Sequence, residues 1–263
     1  MLQTRLKTAF VALPALLAVI VLAPPAAFTI IVALLCVWAL FEIGKMSDSG
    51  EWRWLAIVMA GGIPALVTLW SGEALEAGSI ICLSVFAMLM MMVARVSISG
   101  AGNPTSSTLL VVLASVWVGV FFPYFALVRN RANGVPLIIL MLLAAFASDT
   151  GAYLVGHLVG RVKLMPHVSP HKTVEGALAG LAAALIFGLI LRTSLVPWLP
   201  VVAVALFCLA VAILAQAGDL ANSAFKRAAG VKDSGWIFPG HGGLMDRACS
   251  LVFPVVLTYY CLR

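Results

Sequence analysis

The sequence predicts an all-α polytopic membrane protein of about nine transmembrane helices, with a polar site gathered at its cytoplasmic face. Three observations point there. Of 263 residues, 63% are hydrophobic and only 10% are charged, where an ordinary soluble domain carries about a quarter charged. The mean hydropathy is +1.12. The apolar residues come in runs long enough to cross a bilayer at ~20 residues each. Disorder, a fibrous repeat, a disulfide-rich secreted domain and a soluble enzyme are excluded by that composition.

The runs place spans near 9–22, 27–43, 54–71, 79–96, 108–128, 136–158, 176–194, 197–220 and 250–262. The first follows Arg5 and Lys7 and ends at Pro24-Pro25. It has the shape of a signal peptide, but we take it as a first helix turning at the prolines into the second, as a helical hairpin. The seventh and eighth almost touch across Pro197. No internal repeat or soluble domain interrupts the chain. It reads as one domain, 1–263, with more variable helices to about 130 and the site in the half from about 131. Cys36, Cys82, Cys208 and Cys261 lie in or at the ends of apolar runs and are expected as small core residues. With no C-x-x-C pair, neither a zinc site nor a structural disulfide is expected.

Charge orients the chain. The sixteen basic residues outnumber ten acidic ones for a net +6, an excess that marks cytoplasmic loops rather than nucleic-acid binding. With a cytoplasmic N-terminus, twelve basic residues fall on the cytoplasmic ends, and only Arg129, Arg131, Arg192 and Arg263 fall outside. An even number of spans would break the alternation. The two long polar stretches, Gly160 to Glu175 and about Asp219 to Cys249, then both face the cytoplasm.

Charges in or beside an apolar span are costly and are functional candidates for that reason. Asp149 lies deep in the sixth run and Asp219 closes the eighth. If that helix runs on to Lys226-Arg227, then Asp219, Ser223 and Arg227 share a face at i, i+4 and i+8. The alternative for each Asp is an ion pair where a helix leaves the membrane. Ser223 to Ser250 then holds four basic side chains, two Asp, one His and five Gly. Pro239-Gly240-His241-Gly242-Gly243 is too glycine-rich for helix, and such backbone can offer N–H groups to an anion. Carboxylate oxygens suit a hard divalent cation, and Lys, Arg and amides suit phosphate. In the earlier stretch Ser169-Pro170 is expected to turn the chain. Lys172 and Thr173 are phosphate candidates, and Glu175 a cap or partner. His167 and His171 suit a solvated loop. Gly176 and Gly180, four apart, suit close helix packing.

These residues carry a resemblance. Ser223, Lys226-Arg227, Lys232-Asp233, Pro239, His241-Gly242-Gly243 and Asp246-Arg247 resemble the spaced signature of the phosphatidate cytidylyltransferase (CDP-diacylglycerol synthase) family. Asp149 to Tyr153, Ser169-Pro170, Lys172-Thr173 and Glu175-Gly176 resemble it too, as does the opening through Pro25. The resemblance covers the whole chain. It departs at Cys249, where the family has a second Asp.

The resemblance implies transfer of CMP from CTP to phosphatidate at a bacterial cytoplasmic membrane. The partners are CTP, phosphatidate and the lipid bilayer, with no nucleic acid; a homodimer is compatible with the sequence. It implies catalytic roles for Asp219, Lys226, Arg227, Asp246 and Arg247. It places substrate at Ser169, Lys172, Thr173, Ser223, Lys232, His241, Gly242 and Gly243. Mg²⁺ would sit on Asp219 and Asp246, with Asp149 a further candidate. Cys249 removes a carboxylate ligand, so a second cation is expected to bind weakly or not at all. Asp149 or Asp233 could instead fill that gap, or Cys249 could simply pack. Two other functions stay open: a related CTP-using enzyme such as a polyprenol kinase, or one acting on another lipid; and a non-catalytic membrane paralogue or transporter. The charge split predicts that a reporter fused after Arg263 reads outside the cytoplasm; a cytoplasmic signal would overturn the topology.

Overall fold

The computed structural model describes residues 14–46, 54, 57–71, 107–231, 234–235 and 243–262. The expected fourth span, 79–96, lies outside them. Chain is helical over 14–22, leaves helix at Ala23 and Pro24, and re-enters it at once. The helices that follow are α1 (Pro25–Met46), α2 (Ile63–Ser71), α3 (Ser107–Phe121), α4 (Tyr124–Arg129), α5 (Gly134–Val159), α6 (Val174–Leu195), α7 (Val201–Ala228) and α8 (Met245–Cys261). A π-helical turn, Val58–Gly62, leads into α2. Among the described residues α1, α5, α6 and α7 are long and apolar enough to cross a membrane, and the chain is an integral membrane protein.

Proline marks several of the starts. Pro25 opens α1 and Pro200 precedes α7, positions where the missing N–H costs nothing. Phe122-Pro123 splits the expected fifth span into α3 and α4. The helix bearing Asp219 does run on through Lys226-Arg227. It stops at Gly230, which has φ of +72°. There Val231 N–H donates to the Lys226 carbonyl at 2.9 Å, and Gly230 N–H to that of Arg227 at 3.1 Å. This paired closure by a left-handed glycine turns the chain sharply out of α7.

Two expectations need correction. The bundle is helical, as expected, but also carries one short hairpin: β1 (Lys163–Met165) pairs antiparallel with β2 (Ser169–Thr173), Lys163 opposite Thr173 and Met165 opposite Ser169. Ser169-Pro170 therefore begins a strand rather than a turn. The turn is at Pro166–Val168, closed by Val168 N–H on the Met165 carbonyl at 3.1 Å. Strand pairing wins because it satisfies backbone groups that a free loop would leave to water. Cys36 and Cys208 are buried as expected, but Cys261 is exposed.

The bundle has two distinct ends. At one, the Arg129 guanidinium donates to the carbonyls of Ile20 (2.8 Å) and Ala23 (2.7 Å), and Arg131 donates to the Tyr259 hydroxyl at 2.6 Å. The turn before α1, the α4–α5 connection and the C-terminal end of α8 therefore lie together. The ends of α1, α5 and α7, and the beginnings of α6 and α8, lie at the other end. Stacked Trp117 and Phe253, 5.7 Å apart, join α3 to α8 in the core.

The tightest crossing is α5 on α6. A Cβ on Gly176 would lie 2.7 Å from the Ala152 carbonyl oxygen, and one on Gly180 2.8 Å from that of Ser148. Close backbone approach through small residues is how apolar helices associate in lipid, where burial alone gives little. Gly180→Leu should therefore cost about 1–3 kcal/mol, read as a lower melting temperature of the detergent-solubilised protein; an unchanged melting temperature would contradict this packing.

Candidate active site

That crossing carries a cavity of about 550 Å³ between α5, the β1–β2 hairpin, α6 and α7. Asp149, Tyr153, His157, Lys163, His171, Lys172, Thr173, Gln216 and Asp219 line it. The Lys172 ammonium sits 2.6 Å from Asp219 Oδ2, and both side chains are partly exposed. The hairpin explains how: β2 delivers Lys172 across the mouth of α7's last polar turns. Asp149 lies within electrostatic range of Asp219, Lys172 and Arg247. Gln216 Nε2 donates to Ser148 Oγ at 3.2 Å and to the Ala177 carbonyl at 3.1 Å, which ties α7 to both α5 and α6.

Thr173 caps α6. Its buried Oγ1 accepts the Gly176 N–H at 3.2 Å, the bond that stabilises a helix start. Glu175 accepts the Val162 N–H at 3.1 Å and 3.3 Å with its two oxygens, so it closes the base of the hairpin. Ser169 stands on β2 and is not among the cavity-lining residues.

A second cluster forms where α7 meets α8. Asp246 Oδ1 accepts from the Lys226 ammonium and, at 3.4 Å, from Asn222 Nδ2. Oδ2 accepts from Ser234 N–H (2.9 Å), Ser234 Oγ (2.8 Å) and Gly243 N–H (3.0 Å). Burial works against the charge on this carboxyl. The Lys226 ammonium and the Ser234 and Gly243 N–H groups outweigh it and hold the group below the usual carboxylate range. Asp219 and Lys226 are seven apart on α7, on one face and about 10 Å apart along the axis. The two clusters are thus two turns of one helix. Ser223 and Arg227 are half-buried on the same helix, and Arg247 is exposed in the first turn of α8. Lys232, Asp233, His241 and Gly242 lie outside the described residues.

The spacing of α7 from α8 is set at Gly218, where a Cβ would lie 2.5 Å from the Cys249 carbonyl oxygen. Cys249 is fully buried, and its thiol lies within electrostatic range of Asp219, Lys226, Asp246 and Lys172. Position 249 therefore lies near both clusters.

Four residues of this region escaped the sequence reading: Gln216, Asn222, Ser234 and Glu42. Glu42 is buried at the end of α1, and its carboxylate accepts the Leu244 and Met245 N–H groups. The rule that singled out Asp149, a charge beside an apolar run, singles out Glu42 as well. Nothing in sequence marks Gln216 or Asn222, whose partners lie on other helices.

The description "Cytidylyltransferase family" belongs to the family model that matches residues 3–263. The chain belongs to the cytidylyltransferase family. Among its relatives, the phosphatidate cytidylyltransferase of Bacillus subtilis (strain 168) is 33% identical over 244 residues, covering 89% of this chain and 88% of that one. That of Mycobacterium tuberculosis (strain ATCC 25618 / H37Rv) is 32% identical over 260 residues, 94% of this chain and 78% of the relative. That of Staphylococcus haemolyticus (strain JCSC1435) is 40% identical over 145 residues, 55% of each.

The resemblance noted in the sequence departs at Cys249, where it implies an Asp. A neutral thiol is a poor partner for a hard cation, which prefers oxygen. Cys249→Asp should raise CTP-dependent turnover or lower the Mg²⁺ needed for half-maximal rate. Both quantities unchanged in an active protein would show that Cys249 only packs.

Proposed function

We propose that this chain transfers CMP from CTP to phosphatidate, giving CDP-diacylglycerol and pyrophosphate, at the cytoplasmic face of a bacterial inner membrane. The observation that carries the reading is the cavity at one end of the bundle, where Asp149, Asp219, Lys163 and Lys172 meet. The whole-chain family match and the names of the relatives support it. A lipid substrate keeps its acyl chains among the apolar helices while its phosphate reaches this polar end. CTP arrives from the water beyond.

The reaction joins two polyanions. An oxygen of the lipid phosphate attacks the α-phosphorus of CTP and forms a P–O bond. The bond from that phosphorus to the β-phosphate bridging oxygen breaks, and pyrophosphate leaves with the electron pair. The attacking phosphate is already anionic, so no general base is needed. Positioning and charge neutralisation supply most of the acceleration. Lys172 and Lys226 already stand on carboxylates. Either ammonium can exchange that partner for a phosphate oxygen, with Lys163, Arg227 and Arg247 adding positive charge nearby.

The donor set fits Mg²⁺. Asp149 from α5 and Asp219 from α7 offer carboxylate oxygens to the cavity, whereas the Asp246 oxygens already accept from Lys226, Asn222, Ser234 and Gly243 and would reach an ion only by giving up one of these donors. Among the described residues no three His, Cys, Asp or Glu side chains gather to enclose a metal. Phosphate and water oxygens would complete the shell, which is the usual manner of Mg²⁺ at nucleotide sites. When bound, the ion supplies positive charge at phosphate oxygens.

Purified protein given CTP, phosphatidate and Mg²⁺ should form CDP-diacylglycerol and pyrophosphate in equal amounts. CMP transfer to another lipid, or none, would overturn the reading. Asp219→Asn and Asp246→Asn should each lower turnover by at least ~100-fold, the scale of one lost charge contact at a transferring phosphate. Near-normal turnover in either variant removes that residue from the machinery.

A further inference from the structure

Glu42 is a carboxylate inside an apolar helix, 4% exposed. It is not among the residues lining the cavity. Its backbone partners lie about two hundred residues away. Oε1 accepts the Leu244 N–H at 2.9 Å and the Trp38 indole N–H at 3.1 Å. Oε2 accepts the Met245 N–H at 3.0 Å. The Ser234 hydroxyl lies 3.4 Å from Oε2 and 2.8 Å from Asp246 Oδ2. A hydroxyl has one proton, and the shorter contact takes it.

The first N–H groups of any helix lack intrahelical partners. Helix α8 begins at Met245, and its N-cap residue, Leu244, supplies no side-chain cap. Three successive N–H groups are shared between two carboxylates instead: Gly243 to Asp246, and Leu244 and Met245 to Glu42. The backbone is cut to fit this arrangement. A Cβ on Gly243 would lie 2.5 Å from Glu42 Oε2, and one on Gly235 would lie 2.7 Å from Oε1. The glycines leave the space that the Glu42 carboxylate fills.

We propose that Glu42 is a positioning residue, which binds the start of α8 from α1 and thereby leaves Asp246 free to face Lys226. The proposal rests on the catalytic reading of Asp246 given above. Without Glu42, two buried donors at the head of α8 lose their acceptor, and an orphaned buried N–H is costly. Asp246, in the first turn of that helix, is the nearby carboxylate able to turn back and cap them. Capping would draw it off Lys226. Glu42 acts on the chemistry through Asp246, without touching substrate.

The test uses the full chain in detergent or lipid, with Glu42→Gln, Glu42→Asp and the wild type. Glutamine keeps the size and turns an NH₂ group toward backbone donors. Aspartate keeps the charge and retracts it. The expected result is a kcat for Glu42→Gln lower by about 10- to 100-fold, the scale of a small misplacement of a reacting group, with the KM for CTP within about twofold. Glu42→Asp should lie between Glu42→Gln and the wild type. Hydrogen exchange at 243–248 should quicken in Glu42→Gln, less in Glu42→Asp, and stay unchanged at the middle of α6. A wild-type kcat in folded Glu42→Gln, or unchanged exchange at 243–248, overturns the proposal. So does an aspartate variant no better than glutamine. If Glu42→Gln does not fold, Glu42→Asp decides alone: kcat below wild type with an unchanged KM supports the role, and an equal kcat overturns it. If the wild type itself transfers no CMP, the functional reading fails, and the exchange measurement still decides whether Glu42 holds the head of α8.

Discussion

Everything at the polar end depends on how closely α6 passes α5. In lipid, apolar side chains gain little by leaving hydrocarbon for a protein interior, so helices need close backbone contact or polar links. Gly176 and Gly180 let α6 settle on the Ala152 and Ser148 carbonyls. Gln216 then reaches Ser148 and Ala177 together. The depth of α7 is fixed by that amide, and with it the height of Asp219 one turn further on. Gly218 performs the same service on the opposite face, against the carbonyl of Cys249. The charged groups are placed by residues with almost no side chain.

Two ion pairs divide the polar end, and their surroundings differ. Lys172–Asp219 is partly exposed, with 27% and 39% of the side chains accessible. Water screens such a pair, and it contributes little to stability. Its members are accordingly available to a ligand. Lys226–Asp246 is more enclosed, at 16% and 9%, and Asp246 has three further donors at 3.0 Å or less. Buried pairs are stable only when their remaining lone pairs are satisfied, and here they are. One pair lies open on a cavity wall; the other organises the segment that leads into α8.

Most of the helices were legible because apolar runs and prolines report them directly. Asp149 and Asp219 were legible as out-of-place polar groups and Lys172 as a phosphate candidate in a polar stretch, and the structure brings all three to one cavity. The closeness of Gly176 and Gly180 to α5 followed from their spacing. The hairpin at Lys163–Thr173 was not legible, because three- and five-residue strands leave too short an alternation to distinguish from a loop. Glu42 was missed for another reason. At the end of an apolar run, a carboxylate looks like the point where a helix meets water, and only the fold reveals that α8 begins there. The Asn222 link to Met245 and Asp246 likewise depends on a partner supplied by another helix.

The filled head of α8 has a consequence for how a phosphorylated molecule can be recognised. A helix start is a ready-made socket for phosphate, with free N–H groups and a partial positive charge. In this protein that socket is plugged from within by Glu42 and Asp246. A triphosphate therefore cannot be gripped there by backbone, as it is in many nucleotide-binding proteins. On the proposed reading, its negative charge falls, among the described residues, to ammonium and guanidinium groups on long side chains. Such a grip is less shape-selective for the anion itself. It leaves discrimination among nucleotides to the walls of the cavity, where Tyr153 and His157 lie with parallel rings.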